Sequence, residues 1–388
     1  MRTYLLPVAA ALLLGACTSI SNLKNDLSER MFGRELAEPP AELVEFKPTI
    51  KTQVVWNTRL GEAGLFDFKP AIEDDNVYAA SGGGEIVRLD AITGKQVWRI
   101  NAGTSLSAGV GLGSNLVLVG TPQGYVIAFD RAGRMLWKSK VSSEILSSPK
   151  ESNGIVVVRA GDSRIFGLNA ADGSRKWTLE RSTPALSLRS SAGLVIDSGV
   201  VYAGFAGGKL IAVRLEDGGL LWEATVAQPK GTTEIERIAD ITSLPVVDGP
   251  VVYAAAYQGR VVALDRSNGR ILWSRDISSY TGLASENGRV YVSQASGAVY
   301  SLDYASGKTF WRQEDLANRL LSAPLSLGDK IATGDVEGYV HILSREDGSF
   351  LGRIRVGDNP IMPQLTELGS NGLLAQTREG ELYAISLK

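Results

Sequence analysis

The sequence repeats one nine-residue tail. Asp-x-x-x-Gly-x-x-x-Trp matches at Asp90…Gly94…Trp98, Asp265…Gly269…Trp273 and Asp303…Gly307…Trp311. Asp130…Gly133…Trp137 is one residue shorter, Asn169…Gly173…Trp177 replaces the acid, and Leu215…Gly218…Trp222 is the most degraded copy. Ser344…Gly348…Gly352 keeps the spacing but has lost its tryptophan. Upstream of each tail lie two short β-branched runs separated by a glycine turn, such as Val251-Val-Tyr-Ala followed by Gly259-Arg-Val-Val-Ala-Leu-Asp265. Such runs of four to six residues read as strands. A further apolar segment precedes them, for example Pro70-Ala-Ile or Leu244-Pro-Val-Val. Each unit therefore predicts four antiparallel strands, A to D, with the tryptophan on outermost strand D.

Counting closes a ring. Tails at Trp56, Trp98, Trp137, Trp177, Trp222, Trp273 and Trp311, with the Gly352 variant, make eight and use all seven tryptophans. The last A–B–C portion, ending in Gly380-Glu-Leu-Tyr-Ala-Ile-Ser386, has no tail of its own, whereas Gln53-Val-Val-Trp56 is a tail without a preceding unit. The N-terminal strand then completes the last blade and removes an exposed edge. About 340 residues over eight units is propeller-blade size. The expectation is an all-β, eight-bladed β-propeller over 49–388, one domain where length alone would allow two or three. The repeat resembles that of the quinoprotein-type eight-bladed propellers.

The chain begins with an address. Met1-Arg2, the apolar run Leu5 to Leu14 and then Gly15-Ala16 form an export signal over 1–16, too short to span a bilayer. Leu14-Gly15-Ala16-Cys17 resembles the bacterial lipoprotein lipobox, which implies cleavage before Cys17 and attachment of acyl chains, palmitate among them, to that cysteine. Thr18 stands where the inner-membrane retention signal has Asp, so the resemblance implies anchoring at the periplasmic face of the outer membrane. Residues 17–48 read as a lipidated tether with a short helical piece near 23–36.

Most catalytic chemistry is missing. One cysteine forbids an intrachain disulfide or a CxxC motif, and one histidine, His341, leaves no His cluster for a metal. Forty basic and 42 acidic residues, with no basic stripe, do not suit a nucleic-acid partner. Gly109-Val-Gly111-Leu-Gly113 leads into a strand rather than a helix and so offers a phosphate nothing. Ser147-Ser-Pro-Lys150 is a chance-level match, and His341 occupies a strand position held by Val87, Ile127, Ile211, Val262 and Tyr383 in sister units. The enzyme alternative is a quinoprotein dehydrogenase holding pyrroloquinoline quinone and calcium on the propeller axis. That family needs a vicinal disulfide and an acidic calcium cage, and the sequence supplies neither. A non-enzymatic binding protein without cofactor or metal is the expectation.

Loop length points to the binding face. From tail Trp to strand-A Pro the chain takes 14 residues (Trp56–Pro70), 12 (Trp137–Pro149) or 13 (Trp311–Pro324), but 23 from Trp222 to Pro245. The preceding D–A connection, containing Ser182-Thr-Pro-Ala-Leu-Ser-Leu-Arg189, is also slightly extended. D–A loops of adjacent blades emerge side by side, so Leu186, Leu188 and Arg189 should adjoin Arg237 and Asp240. Exposed leucines with a charged rim have the composition of a protein interface. The alternative is that Leu186 and Leu188 begin strand A and are buried.

With Leu-Ser-Leu-Arg in one loop and Arg-Ile-x-Asp in the next, on a lipobox propeller, the whole chain resembles the BamB family, lipoproteins of the outer-membrane β-barrel assembly machinery. The resemblance implies docking of these loops on the POTRA domains of the barrel-forming subunit BamA. Leu186, Leu188, Arg189 and Asp240 match the family's contact positions. The family's frequent second acid is Thr242 here, so the resemblance implies a weaker or rewired contact at that point. A further expectation is that nascent outer-membrane proteins pair with the outer D strands by β-augmentation.

Overall fold

The computed structural model describes residues 38–388 apart from Leu65, Thr183, Ala185, Glu234 and Met362. The expected export signal over 1–16, Cys17 and the helical piece expected near 23–36 lie outside the described residues. Eight four-stranded antiparallel sheets follow one another along the chain. Blades 1 to 7 span 71–101, 108–140, 150–179, 194–225, 246–275, 283–313 and 325–355. Blade 8 takes strands Thr366–Glu367, Gly372–Gln376 and Glu381–Leu387 from the C-terminus and Thr52–Arg59 from the N-terminus. Thr52 pairs with Leu387 and Arg59 with Glu381, so the ring closes between the two chain ends as the orphan tail predicts.

Burial follows the layers. Middle strands such as Val251–Ala255 are buried throughout, because both faces meet a neighbouring blade, which explains their unbroken apolar runs. Outermost strands bury little beyond the tryptophan, as in Ile271–Arg275. Gly109 and Gly111, read as a failed phosphate loop, lie in the innermost strand Ala108–Leu112 of blade 2.

Each tryptophan joins its blade to the next. The indole N–H groups of Trp56, Trp98, Trp137, Trp177, Trp222, Trp273 and Trp311 donate across the blade boundary to the carbonyls of Ala91, Arg131, Ala170, Leu215, Arg266, Tyr304 and Arg345, at 2.8–3.0 Å. The rings lie against the C–D turn glycine of the following blade. At Gly269 (φ +74°) a Cβ would stand 2.5 Å from the Trp222 ring, so position and backbone both demand glycine. The repeat's acid sets that turn: Asp265 Oδ1 accepts from Ser267 N at 2.9 Å and Ser267 Oγ at 2.6 Å.

The eighth boundary is different. Blades 7 and 8 meet where the chain ends, so blade 8 has no C–D turn for an indole to cover. Ile50 and Thr52 occupy that space, and a Cβ at Gly352 would approach Ile50 Cγ1 to 2.9 Å. The missing eighth tryptophan is therefore a consequence of closure. The part of the expected tether that the structure describes is ordered at this seam. Residues 38–48 lie against blades 6 and 7: Ala41 N donates to Ala317 O (2.9 Å), and Arg353 Nη1 donates to Val44 O (3.0 Å). Just beyond them, Thr49 N donates to Leu351 O at 2.9 Å. Over that stretch the chain forms a docked strap, with Phe46 stacked on Phe350 and Ile50 packed against the core at the seam.

Trp273→Ala should lower unfolding free energy by about 3–5 kcal/mol in a urea titration, the usual cost of an aromatic deleted from a packed site. Restoring the repeat with Gly352→Trp should also destabilise, since the strap already fills the space.

Candidate docking face

The two long D–A loops, 180–193 and 226–245, emerge side by side from blades 3–4 and 4–5. The second is pinned from beneath by buried Ala239 and Ile241, packed with Tyr202 and Val252, and Ile238 beside them is buried too. Its tip is a turn stabilised reciprocally. Glu236 Oε2 accepts from Thr232 N (2.9 Å) and Thr233 N (3.1 Å), and Thr233 Oγ1 accepts from Glu236 N (3.2 Å). Those backbone bonds hold the Glu236 carboxyl below its ordinary pKa. The tip presents exposed Ile235, 57% accessible, and exposed Arg237.

Asp240 is the joint between the loops. It is buried, so its expected place in a charged rim is corrected. Oδ2 accepts from Leu188 N at 2.7 Å and Oδ1 from Gly207 N at 2.8 Å, tying the first loop and the B–C turn of blade 4 to the second. Arg159 lies near enough to feel its charge. Burial pulls the Arg159 guanidinium down to about 10, and Asp240 partly offsets this. Arg159 also donates to Ala192 O (2.7 Å) at the end of the first loop. A buried carboxylate with these donors satisfies backbone groups that a loop leaves open.

Arg189 points elsewhere. Nε and Nη2 meet Glu144 Oε1 and Oε2 at 3.1 and 2.7 Å, and the guanidinium lies 5.3 Å from the Phe66 ring. The hydrogen-bonded Glu144 raises the Arg189 pKa. Ser191 Oγ donates to Asp67 Oδ2 at 2.5 Å. Glu144 belongs to the loop entering blade 3, and Phe66 and Asp67 to the loop entering blade 1. The 180–193 loop thus reaches across the ring and is held on three sides.

Leu188, Arg189 and Asp240 therefore share one cleft of about 240 Å³ with Glu144 and Arg159. Leu186, 43% accessible, and Arg237 lie outside that cleft on the loop surface. Neither leucine starts strand A, which begins at Leu194. Thr242, in place of the second acid, donates to Tyr280 O at 2.9 Å and braces the next D–A loop. Glu144, Phe66 and Arg159 were not foreseen, since nothing in their spacing marks pairs made across the ring. No cluster of three metal-ligating side chains occurs among the described residues.

The family model described as outer membrane protein assembly factor BamB matches residues 47–104, 82–313 and 286–388. The chain belongs to the BamB family. The assembly factor BamB of Nitrosomonas eutropha is 42% identical over 381 residues, covering 97% of this chain and 93% of the relative. The crystal structure of BamB from Moraxella catarrhalis superposes with a TM-score of 0.80 at 28% identity, covering 87% of this chain and all of that one. A quinohemoprotein alcohol dehydrogenase from Pseudomonas putida reaches a TM-score of 0.71 at only 13% identity, over 86% of this chain and 76% of that one, a likeness of fold alone. The chain is a member of the assembly-factor family, BamB, and not of the dehydrogenases.

Asp240→Ala should loosen this face. Two backbone N–H groups lose their acceptor at about 1–3 kcal/mol each, so a urea titration should show a loss of about 2–6 kcal/mol. Limited proteolysis should then cut within 180–193 first.

Proposed function

We propose that this chain is a non-enzymatic scaffold of the outer-membrane β-barrel assembly complex, whose D–A loops at blades 3–5 dock on the POTRA domains of BamA. The observation that carries the reading is the pinned loop pair: two unusually long connections, braced through Asp240, that leave Leu186, Ile235 and Arg237 exposed. Affinity from such a face benefits from loops already ordered before binding, since little chain entropy remains to be lost. Leu186, Leu188, Arg189 and Arg237 are the proposed contact residues, with buried Asp240 as the support behind them. The exposed apolar residues supply the anchor, Arg189 and Arg237 the charge, and Asp240 holds the others in place. Lipidation at Cys17 would keep the propeller at the periplasmic face of the outer membrane. Holding POTRA domains in one arrangement is a task for a rigid ring, and no bond need be made or broken.

A pull-down from solubilised outer membrane tests the site. The unaltered chain should bring down BamA, and Leu188→Asp with Arg189→Glu should lose it. Because Arg189 pairs internally with Glu144, a third variant adding Glu144→Arg restores that ion pair. Binding that stays lost in it places the effect at the partner, while undiminished binding by the double variant would sink the assignment. Cys17→Ala should release the protein from membranes, read by fractionation.

A second reading concerns the blade edges. Outermost strands carry exposed Val97, Leu136, Leu221, Leu272 and Phe310 beside unpaired backbone groups. An unfolded outer-membrane strand fits such an edge by β-augmentation. Photo-cross-linkers beside Trp222 or Trp273 should capture nascent barrel proteins, and failure to do so counts against it.

A further inference from the structure

The chain's only histidine sits at the strap. His341, on strand Tyr339–Ser344, is buried completely and pairs in register with Thr333 on one side and Arg353 on the other. Its Nε2 lies 2.9 Å from Asp335 Oδ2, and Arg353 Nε donates to its Nδ1 at 3.2 Å. Asp335 Oδ2 also accepts from Arg319 Nε at 2.7 Å, and Oδ1 accepts from the amides of Glu337 and Tyr339. A carboxylate only accepts and a guanidinium only donates. The ring is therefore neutral, with its proton on Nε2 and its lone pair on Nδ1.

The two arginines around it hold the strap. Arg319 Nη1 donates to Ala41 O at 2.7 Å. Arg353 Nη1 donates to Val44 O at 3.0 Å, and its guanidinium lies 5.0 Å from each of two stacked rings, Phe46 of the strap and Phe350 of blade 7. A second proton on His341 has one place to go, Nδ1. It would remove the acceptor of Arg353 Nε and set two cations face to face.

The surroundings offer that charge only Asp335, which Arg319 already shares. Facing the ring are Arg319, Asp335, Tyr339 and Arg353. Glu337 is paired to Arg319 and Arg355 to Asp358, so the acids are already matched. Phe350 and Tyr339 flank the ring with apolar surface. The strap's own Glu42, Glu45 and Lys47 are exposed to water.

We propose that His341 is a pH-sensitive catch whose protonation releases strap residues 38–48 from blade 7. Burial pushes the His341 pKa below its ordinary value; Asp335 opposes this, and Arg353 and Arg319 lower it further. The sign follows. With the strap docked, the ring resists a proton; with the strap gone, water reaches the site and the pKa returns towards about 6.5. Release therefore takes up a proton, so the strap is held at neutral pH and loosens as pH falls below that value. Each unit of difference between the two states is worth a factor of about ten in the docking equilibrium. Glu38 sits beside Asn318 on the loop entering blade 7, at the same end of the ring as the docking loops. Freeing eleven residues there adds on the order of 40 Å of reach to the chain leaving that end.

The test uses the intact chain purified in detergent with ¹³C at the histidine Cε1, a single resonance. The expected result is titration below the ordinary value, with hydrogen exchange of peptides over 38–50 rising at least about tenfold from pH 7.5 to 5.5 after correction for intrinsic rates. His341→Gln, whose amide can donate to Asp335 and accept from Arg353 without titrating, should abolish that dependence. Protection that does not change with pH, or that changes equally in His341→Gln, overturns the proposal. If His341→Gln fails to fold, Phe46→Ala decides: it weakens the strap from outside the blade and should move the His341 pKa up, and an unmoved pKa overturns the catch.

Discussion

The indole that crosses from each blade to the next is the interaction on which the ring depends. A single repeat unit cannot bury its hydrophobic face alone, and the outermost strand of a blade is nearly all exposed. The tryptophan converts that strand into an adhesive element. Its ring buries roughly 150–250 Å², it covers a glycine that no other residue could replace, and its N–H caps a carbonyl of the next blade. Seven of eight boundaries carry this bond. The turn acid, the positive-φ glycine and the tryptophan are one device, which is why they travel together through the sequence at fixed spacing.

The boundary without the device shows its cost and its alternative. A ring made from one chain must have a seam, and at a seam the C–D turn that would receive the indole is replaced by two chain ends. The N-terminal segment supplies apolar bulk through Ile50 and Phe46, but it lacks the repeat's geometry. It is held instead by polar groups that strand neighbours do not otherwise need: Arg319, Asp335, His341 and Arg353. A buried charged network is expensive to desolvate unless every member is matched. Here the matching depends on the strap itself, since Ala41 and Val44 supply two of the acceptors.

This contrast also explains what could be read from the sequence. The propeller was readable because one residue type does one job at seven places, and periodicity reports such repetition. Ring closure was readable because a tail without a unit and a unit without a tail stood at opposite ends. Loop length located the 226–245 insertion, which departs from an internal standard. Asp240 was misplaced in a rim because sequence shows which loops adjoin but not which side chains turn inward to satisfy Leu188 and Gly207. Arg189–Glu144 and Arg319–Asp335–His341 were invisible for a related reason. Their partners come from different elements or turns, and nothing repeats them. His341 was correctly placed in a strand, yet its partners made it part of a network rather than a plain core side chain.

The division of labour between burial and exposure on the candidate docking face follows from the same physics. A loop of 14 or 20 residues is entropically costly to order at the moment of binding. Asp240, Glu144 and the Glu236 turn meet that cost during folding, using backbone donors the loops would otherwise leave to water. What remains exposed, Leu186, Ile235 and Arg237, is free of internal obligations and therefore available to a partner. Arg189 is the intermediate case: ion-paired to Glu144 and set against Phe66, it can address a partner only in a fixed orientation. A face built this way trades adaptability for geometry, which suits the scaffold role proposed above.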